Sequence, residues 1–264
     1  MIGITGAKGV LGRIISQKLE SQIIDFSIFN GDIRNENAVL EWLKSDKITY
    51  VIHLASKVAV SDVENNISEA YEVNVSGTIN LIKAIGKLNH PIGVFYASTS
   101  HVYESSSLPL KETDLINPIN SYGLTKRISE LLLLDYSTKN KTLNLCIGRI
   151  FSFYHESQNP PFLYPNLLNR FRTEDLSKPF KLYGANSTRD FLNAEVVCDH
   201  IISLVKLNYK GIVNIASGKS TKIIDFVKSI SPEELTFDFN QLEMVNHLNA
   251  DISLLNKILN TKIL

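Results

Sequence analysis

The stretch TGAKGVLG, residues 5–12, sets Gly6, Gly9 and Gly12 three apart, between the β-branched run Ile2–Thr5 and apolar residues at helical spacing: Val10, Leu11, Ile14, Ile15 and Leu19. Few arrangements satisfy a strand, a glycine turn and a helix in immediate succession. Glycines let the backbone turn tightly and approach a ligand closely, and the helix that follows offers its positive N-terminus to a pyrophosphate. A glycine-rich loop without that context is only a flexible connection. In this context it predicts a dinucleotide site at the mouth of a parallel sheet.

The rest of the first half keeps the same rhythm. Short apolar runs at 23–29, 50–55 (YVIHLA), 93–98 (GVFYAS) and 143–149 (LNLCIGR) alternate with helical patterns, including one from about Ile67 to Leu88. The runs are apolar continuously, as expected for strands covered by helices on both faces, so the reading is α/β with a doubly wound parallel sheet, a Rossmann fold. After Arg149 the rhythm breaks into a loop-like segment rich in proline and aromatics. GIVNIA, 211–216, is the one later run that reads clearly as a strand, and it is expected to return to the sheet. The expected organisation is a dinucleotide-binding domain over 1–150, joined again by 186–218, with a small interleaved C-terminal substrate cap within 151–264.

Balanced charge, 27 basic against 27 acidic residues, argues against nucleic acid or an anionic membrane as partner. No apolar run reaches the ~18 residues of a membrane span, and the N-terminus enters a strand without a leader pattern. Cys146 and Cys198 stand apart in apolar surroundings and read as buried free thiols. No metal-ligating spacing stands out. A cytoplasmic location is expected.

In SYGLTK, Tyr122 and Lys126 are four apart in a helical pattern, which places phenol and ammonium on one face. A phenol titrates near a pKa of about 10, and a neighbouring cation favours the phenolate. The spacing therefore suits acid–base work near neutrality, although a surface pair would look the same.

With TGAKGVLG, YASTSHVY and SYGLTK in one chain, the sequence resembles the extended short-chain dehydrogenases/reductases, the nucleotide-sugar epimerases, dehydratases and ketoreductases, over nearly its whole length. The resemblance implies an NAD(P) cofactor held by Gly6, Gly9 and Gly12, by Asp32 and Ile33 at the adenine, by the His53–Ser56 turn (Leu54, Ala55, Ser56) and by Asn74. It implies catalysis by Thr99, Tyr122 and Lys126, with Ser98 or Ser100 as alternatives for the hydroxyl. Tyr122 would pass the proton, while Lys126 would lower its pKa and hold the ribose. Arg189, in Arg189–Phe191, would meet a diphosphate, and NIASG matches the family's late glycine over Asn214–Gly218. Taken singly, Asp32 could be a turn carboxylate, Asn74 a surface amide and Arg189 a solvated ion pair.

Departures from the family narrow the reaction. No carboxylate ends the second strand, which with Arg34 and Arg13 tilts the cofactor toward NADP(H). Ser152 stands where the family places a substrate-contacting Asn. Thr99 is followed by Ser100 and His101 instead of the Asp and Glu of the dehydratases. Reduction of a 4-keto sugar is expected, with optional epimerisation through His101, which lies where GDP-fucose synthases place a cysteine; packing alone is the other reading of His101. Substrate contacts are expected from Ser100, Ser152 and Arg189. The run Leu131–Leu134 points to a homodimer through helices 67–88 and 122–139. A catalytically silent dinucleotide-binding regulator and a reductase of a small non-nucleotide carbonyl are the alternatives.

Overall fold

In a computed structural model, which describes residues 1–240 and 242–260, strands β3 (Tyr50–His53) and β5 (Leu143–Ile150) are buried at every position. That follows from their largely apolar character once helices lie on both faces, with His53, Asn144 and Arg149 as buried polar exceptions. They belong to a six-stranded parallel sheet completed by β1 (Ile2–Thr5), β2 (Phe26–Ile28), β4 (Ile92–Thr99) and β9 (Gly211–Ile215), in the order β2-β1-β3-β4-β5-β9. Helices α1 (Val10–Ser21) and α8 (Ala194–Lys206) cover one face through Ile14, Ile15, Leu19, Val197 and Ile201. On the other face lie α2 (Glu36–Ser45), α5 (Gly77–Gly86) and α6 (Ser121–Lys139), through Val39, Leu43, Leu81, Ala84 and Leu133. The fold is the doubly wound sheet that the alternation predicts.

The order has a functional consequence. From β1 the chain goes to β2 on one side and then crosses to β3 on the other, so the topological switch point lies between the C-terminal ends of β1 and β3. Ligands of open α/β sheets bind at such a crevice. Strand β2 is the sheet's edge and leads within a few residues to Asp32.

The helical run expected over 67–88 is interrupted. Helices α3 (Val60–Asn65) and α4 (Ile67–Tyr71) precede a π-helical turn, Glu72–Ser76, before α5 begins. The segment read as a loop after Arg149 contains β6 (Ser152–Tyr154) and α7 (Leu163–Thr173). Strand β6 pairs with β8 (Thr188–Asn193), which also pairs with β10 (Ser220–Lys222) and β12 (His247–Leu248). A further pair, β7 (Phe180–Lys181) with β11 (Phe237–Asp238), lies beside α9 (Ile223–Ile230). Their core is aromatic, with Phe191 stacked on Phe226 at 3.9 Å. The final helix, α10 (Ser253–Asn260), returns to the α1 and α8 side through Leu255.

Candidate active site

At the end of β1, Gly6 takes φ +72°, and a Cβ there would stand 2.6 Å from the backbone nitrogen of Ala55. Only glycine allows the two strand ends to meet so closely. Gly9 is the N-cap residue of α1 and provides no side-chain cap, which leaves the first-turn N–H groups to a ligand. The buried Gly12 follows in the first turn. Thr5 fastens the opposite wall: its hydroxyl is 2.7 Å from His53 Nδ1 and accepts from the Ala55 nitrogen at 3.2 Å. Burial, then the Lys126 charge, pulls His53 down to about 3. This cradle of bare N–H groups and glycine backbone fits a pyrophosphate.

Asn74 lies in the π-helical turn and is 1 % exposed. Its Oδ1 accepts from Ser56 Oγ and the Lys57 nitrogen, and its Nδ2 donates to Lys57 O and Thr125 Oγ1. Its backbone carbonyl accepts from Thr78 and Ser129. The amide is spent on protein partners, so Asn74 binds the Leu54–Lys57 turn to α6 and leaves no free valence for a cofactor.

Thr99 ends β4 and Tyr122 lies in the first turn of α6. Burial pushes the Tyr122 phenol up to about 12, with the nearby Thr99 hydroxyl acting in the opposite direction. Burial pulls Lys126 down to about 7, opposed by Glu130, and its ammonium lies 4.3 Å over the Tyr96 ring. The lysine was expected to lower the phenol's pKa. In this structure burial dominates, and the influence that opposes it comes from the Thr99 hydroxyl. Glu130, one turn beyond Lys126, is completely buried and receives Arg149, Arg127 and the Ser98 hydroxyl.

His101 follows in the 3₁₀ turn Ser100–Val102, its ring edge-on to Tyr122 with centroids 5.8 Å apart. Burial, then the Arg189 charge, pulls it down to about 4. Ser100 is 3 % exposed, while Ser152 on β6 pairs with Phe191 on β8. Arg189 donates to the carbonyls of Thr188 and Asn246, and burial lowers its pKa. The neighbouring Asp190 instead holds the turn at Ser217 and Gly218. Asn214 takes the Tyr103 hydroxyl at 2.7 Å. Among the described residues, no group of three His, Cys, Asp or Glu is arranged to hold a metal ion.

A family model described as NAD dependent epimerase/dehydratase family matches residues 2–216. The chain belongs to this family. A putative UDP-glucose 4-epimerase of Methanocaldococcus jannaschii is 31% identical over 255 residues, covering 88% of this chain and 82% of that one. The GDP-6-deoxy-D-talose 4-dehydrogenase of Aggregatibacter actinomycetemcomitans is 28% identical over 250 residues, covering 90% and 83%. The solved UDP-glucose 4-epimerase of Thermus thermophilus, in complex with NAD, shares the fold with a TM-score of 0.83 at 18% identity, over 97% of this chain and 92% of that chain.

The residues expected at the adenosine end are engaged within the protein. Asp32 accepts from Arg34 Nε and Nη2, and Arg34 Nη1 reaches Glu72 at 3.2 Å. Ile33 is buried in the core. Arg13 donates to Lys8 O and Ser157 O, away from the β2 edge. Both arginines that the sequence offers to a 2′-phosphate are thus engaged. Two polar residues escaped the sequence reading, Glu130 and Asn120. Asn120 lies two residues before Tyr122 with Gly123 three residues on, which is an N-cap signal visible in the sequence.

Proposed function

We propose that this chain is a reductase of a nucleotide-linked 4-keto sugar. Arg189 carries the reading. Its guanidinium is half-buried, bonded to backbone carbonyls, and paired with no carboxylate among the described residues. A cation partly withdrawn from water without a counter-charge is ready to meet an anion. Its charge is felt at His101, which touches Tyr122, so a diphosphate on Arg189 would hold a sugar beside the Thr99–Tyr122 pair.

The glycine loop and the α1 N-terminus would hold the pyrophosphate of the dinucleotide, with the Leu54–Lys57 turn below its nicotinamide end. When bound, the reduced nicotinamide supplies the hydride to the carbonyl carbon. Tyr122 gives its proton to the carbonyl oxygen, Thr99 holds that oxygen and the phenol in line, and the resulting phenolate is reprotonated from the Lys126 side. A phenol held near a pKa of about 12 is a proton reservoir that stays filled at neutral pH. Ser100 and His101 provide no carboxylic acid pair, which disfavours elimination of water.

The UDP-glucose 4-epimerase relative favours a second reading, in which the same residues withdraw and return hydride at C4 with no net cofactor use. With Thr99, Tyr122 and Lys126 all present, a silent regulator is the weaker alternative, and Arg189 speaks against a small non-nucleotide carbonyl. For the cofactor the engaged Arg34 and Arg13 favour NAD(H) over the NADP(H) suggested by sequence. Leu124 and Leu131, seven apart and 43% and 50% exposed on α6, with Ile67 on α4 at 47%, support a homodimer across these helices. The free, buried Cys146 and Cys198 suit a reducing cytoplasm, and among the described residues no helix is long and apolar enough to cross a membrane. Incubating the protein with nucleotide-4-keto-6-deoxysugars and each reduced nicotinamide tests the function. One reduced nicotinamide oxidised per product supports it, and conversion of a nucleotide-hexose without net oxidation overturns it.

A further inference from the structure

The two atoms of one side-chain amide decide what His101 can do. Asn120 is the N-cap of α6, and its Oδ1 accepts from the Gly123 nitrogen at 2.8 Å. Its orientation is therefore set, because turning the amide over would aim an NH₂ at an N–H. With the oxygen committed, the Nδ2 atom faces His101 Nδ1 at 2.8 Å. An amide nitrogen only donates, so Nδ1 must be the bare, accepting nitrogen and the ring proton resides on Nε2. The arrangement is rigid. The His101 carbonyl accepts from the Ile119 nitrogen at 3.1 Å, and a Cβ on Gly123 would stand 2.2 Å from that carbonyl oxygen, so only glycine lets the helix start press this close.

We propose that Asn120 is a positioning residue: by capping α6 through Oδ1 and donating to His101 through Nδ2, it fixes the imidazole as the Nε2–H tautomer, so that His101 offers bound sugar a hydrogen-bond donor and no base. Among the described residues Nε2 has no protein partner. The titratable and charged groups around the ring are the Tyr122 phenol on α6 and the Arg189 guanidinium on β8, and neither accepts a proton from Nε2 at neutral pH. An Nε2–H can bind a sugar carbonyl or hydroxyl oxygen. It cannot remove a proton from carbon unless the ring first loses its bond to Asn120. The inference deepens the 4-keto-sugar reading, in which it favours reduction without epimerisation.

Asn120→Asp isolates the effect. Aspartate caps a helix about as well as asparagine, so α6 is retained, but its second oxygen accepts where Nδ2 donated. Long-range proton–nitrogen correlation spectra of the histidine side chains, recorded at neutral pH on the protein without substrate, read the tautomer directly. Wild type is expected to show a bare Nδ1 and a protonated Nε2. In Asn120→Asp the proton should move to Nδ1, and the His101 pKa should rise. Asn120→Ser also caps, lacks the amide donor and should give a mixture of tautomers, while circular dichroism checks that both variants are folded. A wild-type ring protonated on Nδ1 overturns the proposal, and so does an Nε2–H tautomer that persists unchanged in both variants. The spectra need no sugar, so their outcome is separate from that of the proposed function. With a 4-keto sugar in deuterated water, the wild type should leave the carbons beside the ketone unlabelled, and deuterium there would count against the proposal.

Discussion

Arg149 donates to both carboxylate oxygens of Glu130, Nε to Oε1 and Nη2 to Oε2, each at 3.0 Å, with the arginine 1 % exposed and the glutamate fully buried. The pair bolts α6, one turn past Lys126, to strand β5, the neighbour of the edge strand β9. Arg149 also donates to the Tyr103 hydroxyl, which reaches Asn214 on β9. Removing one member of a buried pair strands the other charge, at a cost of about 3–5 kcal/mol. Glu130→Gln should lower the unfolding free energy by that order in urea titrations. A loss below about 1 kcal/mol, the range of exposed pairs, would show that the network is not a structural bolt.

Lys126 should cost the fold stability. Its folded pKa is about 7 against an ordinary value of 10.5, so between those values the unfolded chain holds a proton that the folded chain does not. Stability from this group therefore rises with pH across that window, and its full cost is present below it. Lys126→Met should raise the unfolding free energy at neutral pH by about 1–3 kcal/mol while abolishing turnover. Destabilisation by this variant would mean that the contacts with Tyr96 and Glu130 outweigh burial.

His53 acts at the acid end. Its pKa falls from 6.5 to about 3 on folding, so below 6.5 the unfolded chain takes up a proton that the folded chain refuses. Stability should fall with decreasing pH from 6.5 toward 3, by about 1.4 kcal/mol per pH unit from this residue. His101, lowered to about 4, adds to the slope in the same sense. Urea unfolding of His53→Asn across this range should show a shallower acid slope than wild type. An unchanged slope would mean that His53 does not set the acid limit.

The cofactor preference follows from Arg34. Asp32 and Glu72 set two carboxylates against its single guanidinium. A 2′-phosphate adding about two negative charges would be repelled there. Fluorescence titration should find NADH bound more tightly than NADPH. Tighter NADPH binding would mean that Arg34 leaves its partners when the cofactor arrives.

The sheet and the glycine turn were legible because both rest on local chemistry. Strand β5 is apolar at nearly every residue, and Gly6 is required where β1 meets the Ala55 turn. Helical spacing placed Tyr122 and Lys126 on one face, and only the accompanying motifs set them apart from a surface pair. The β6–β8 pairing was not, since it joins Ser152–Tyr154 to Phe191–Asn193 through strands too short to show a period. The π-helical turn at Asn74 was hidden because it meets long-range partners: Ser129 on α6 bonds to the Asn74 carbonyl, and the Asn74 amide donates to Thr125. The setting of Arg34 was hidden for a related reason. Its sequence shows a free cation beside an acid, and only the fold brings Glu72 to its other side.

The proposed reaction rests on hydride passing from the cofactor to a 4-keto sugar while Tyr122 provides the proton. The sharpest probe is reduced nicotinamide carrying deuterium at its transferable position, given with a nucleotide-4-keto-6-deoxysugar and read by mass spectrometry of the product. One deuterium at C4 of the reduced sugar is expected, with stoichiometric loss of nicotinamide absorbance, both abolished in Tyr122→Phe although that variant still binds cofactor. Conversion of UDP-glucose to its C4 epimer with no net loss of absorbance, or a Phe variant that keeps most of the transfer, would overturn this mechanism.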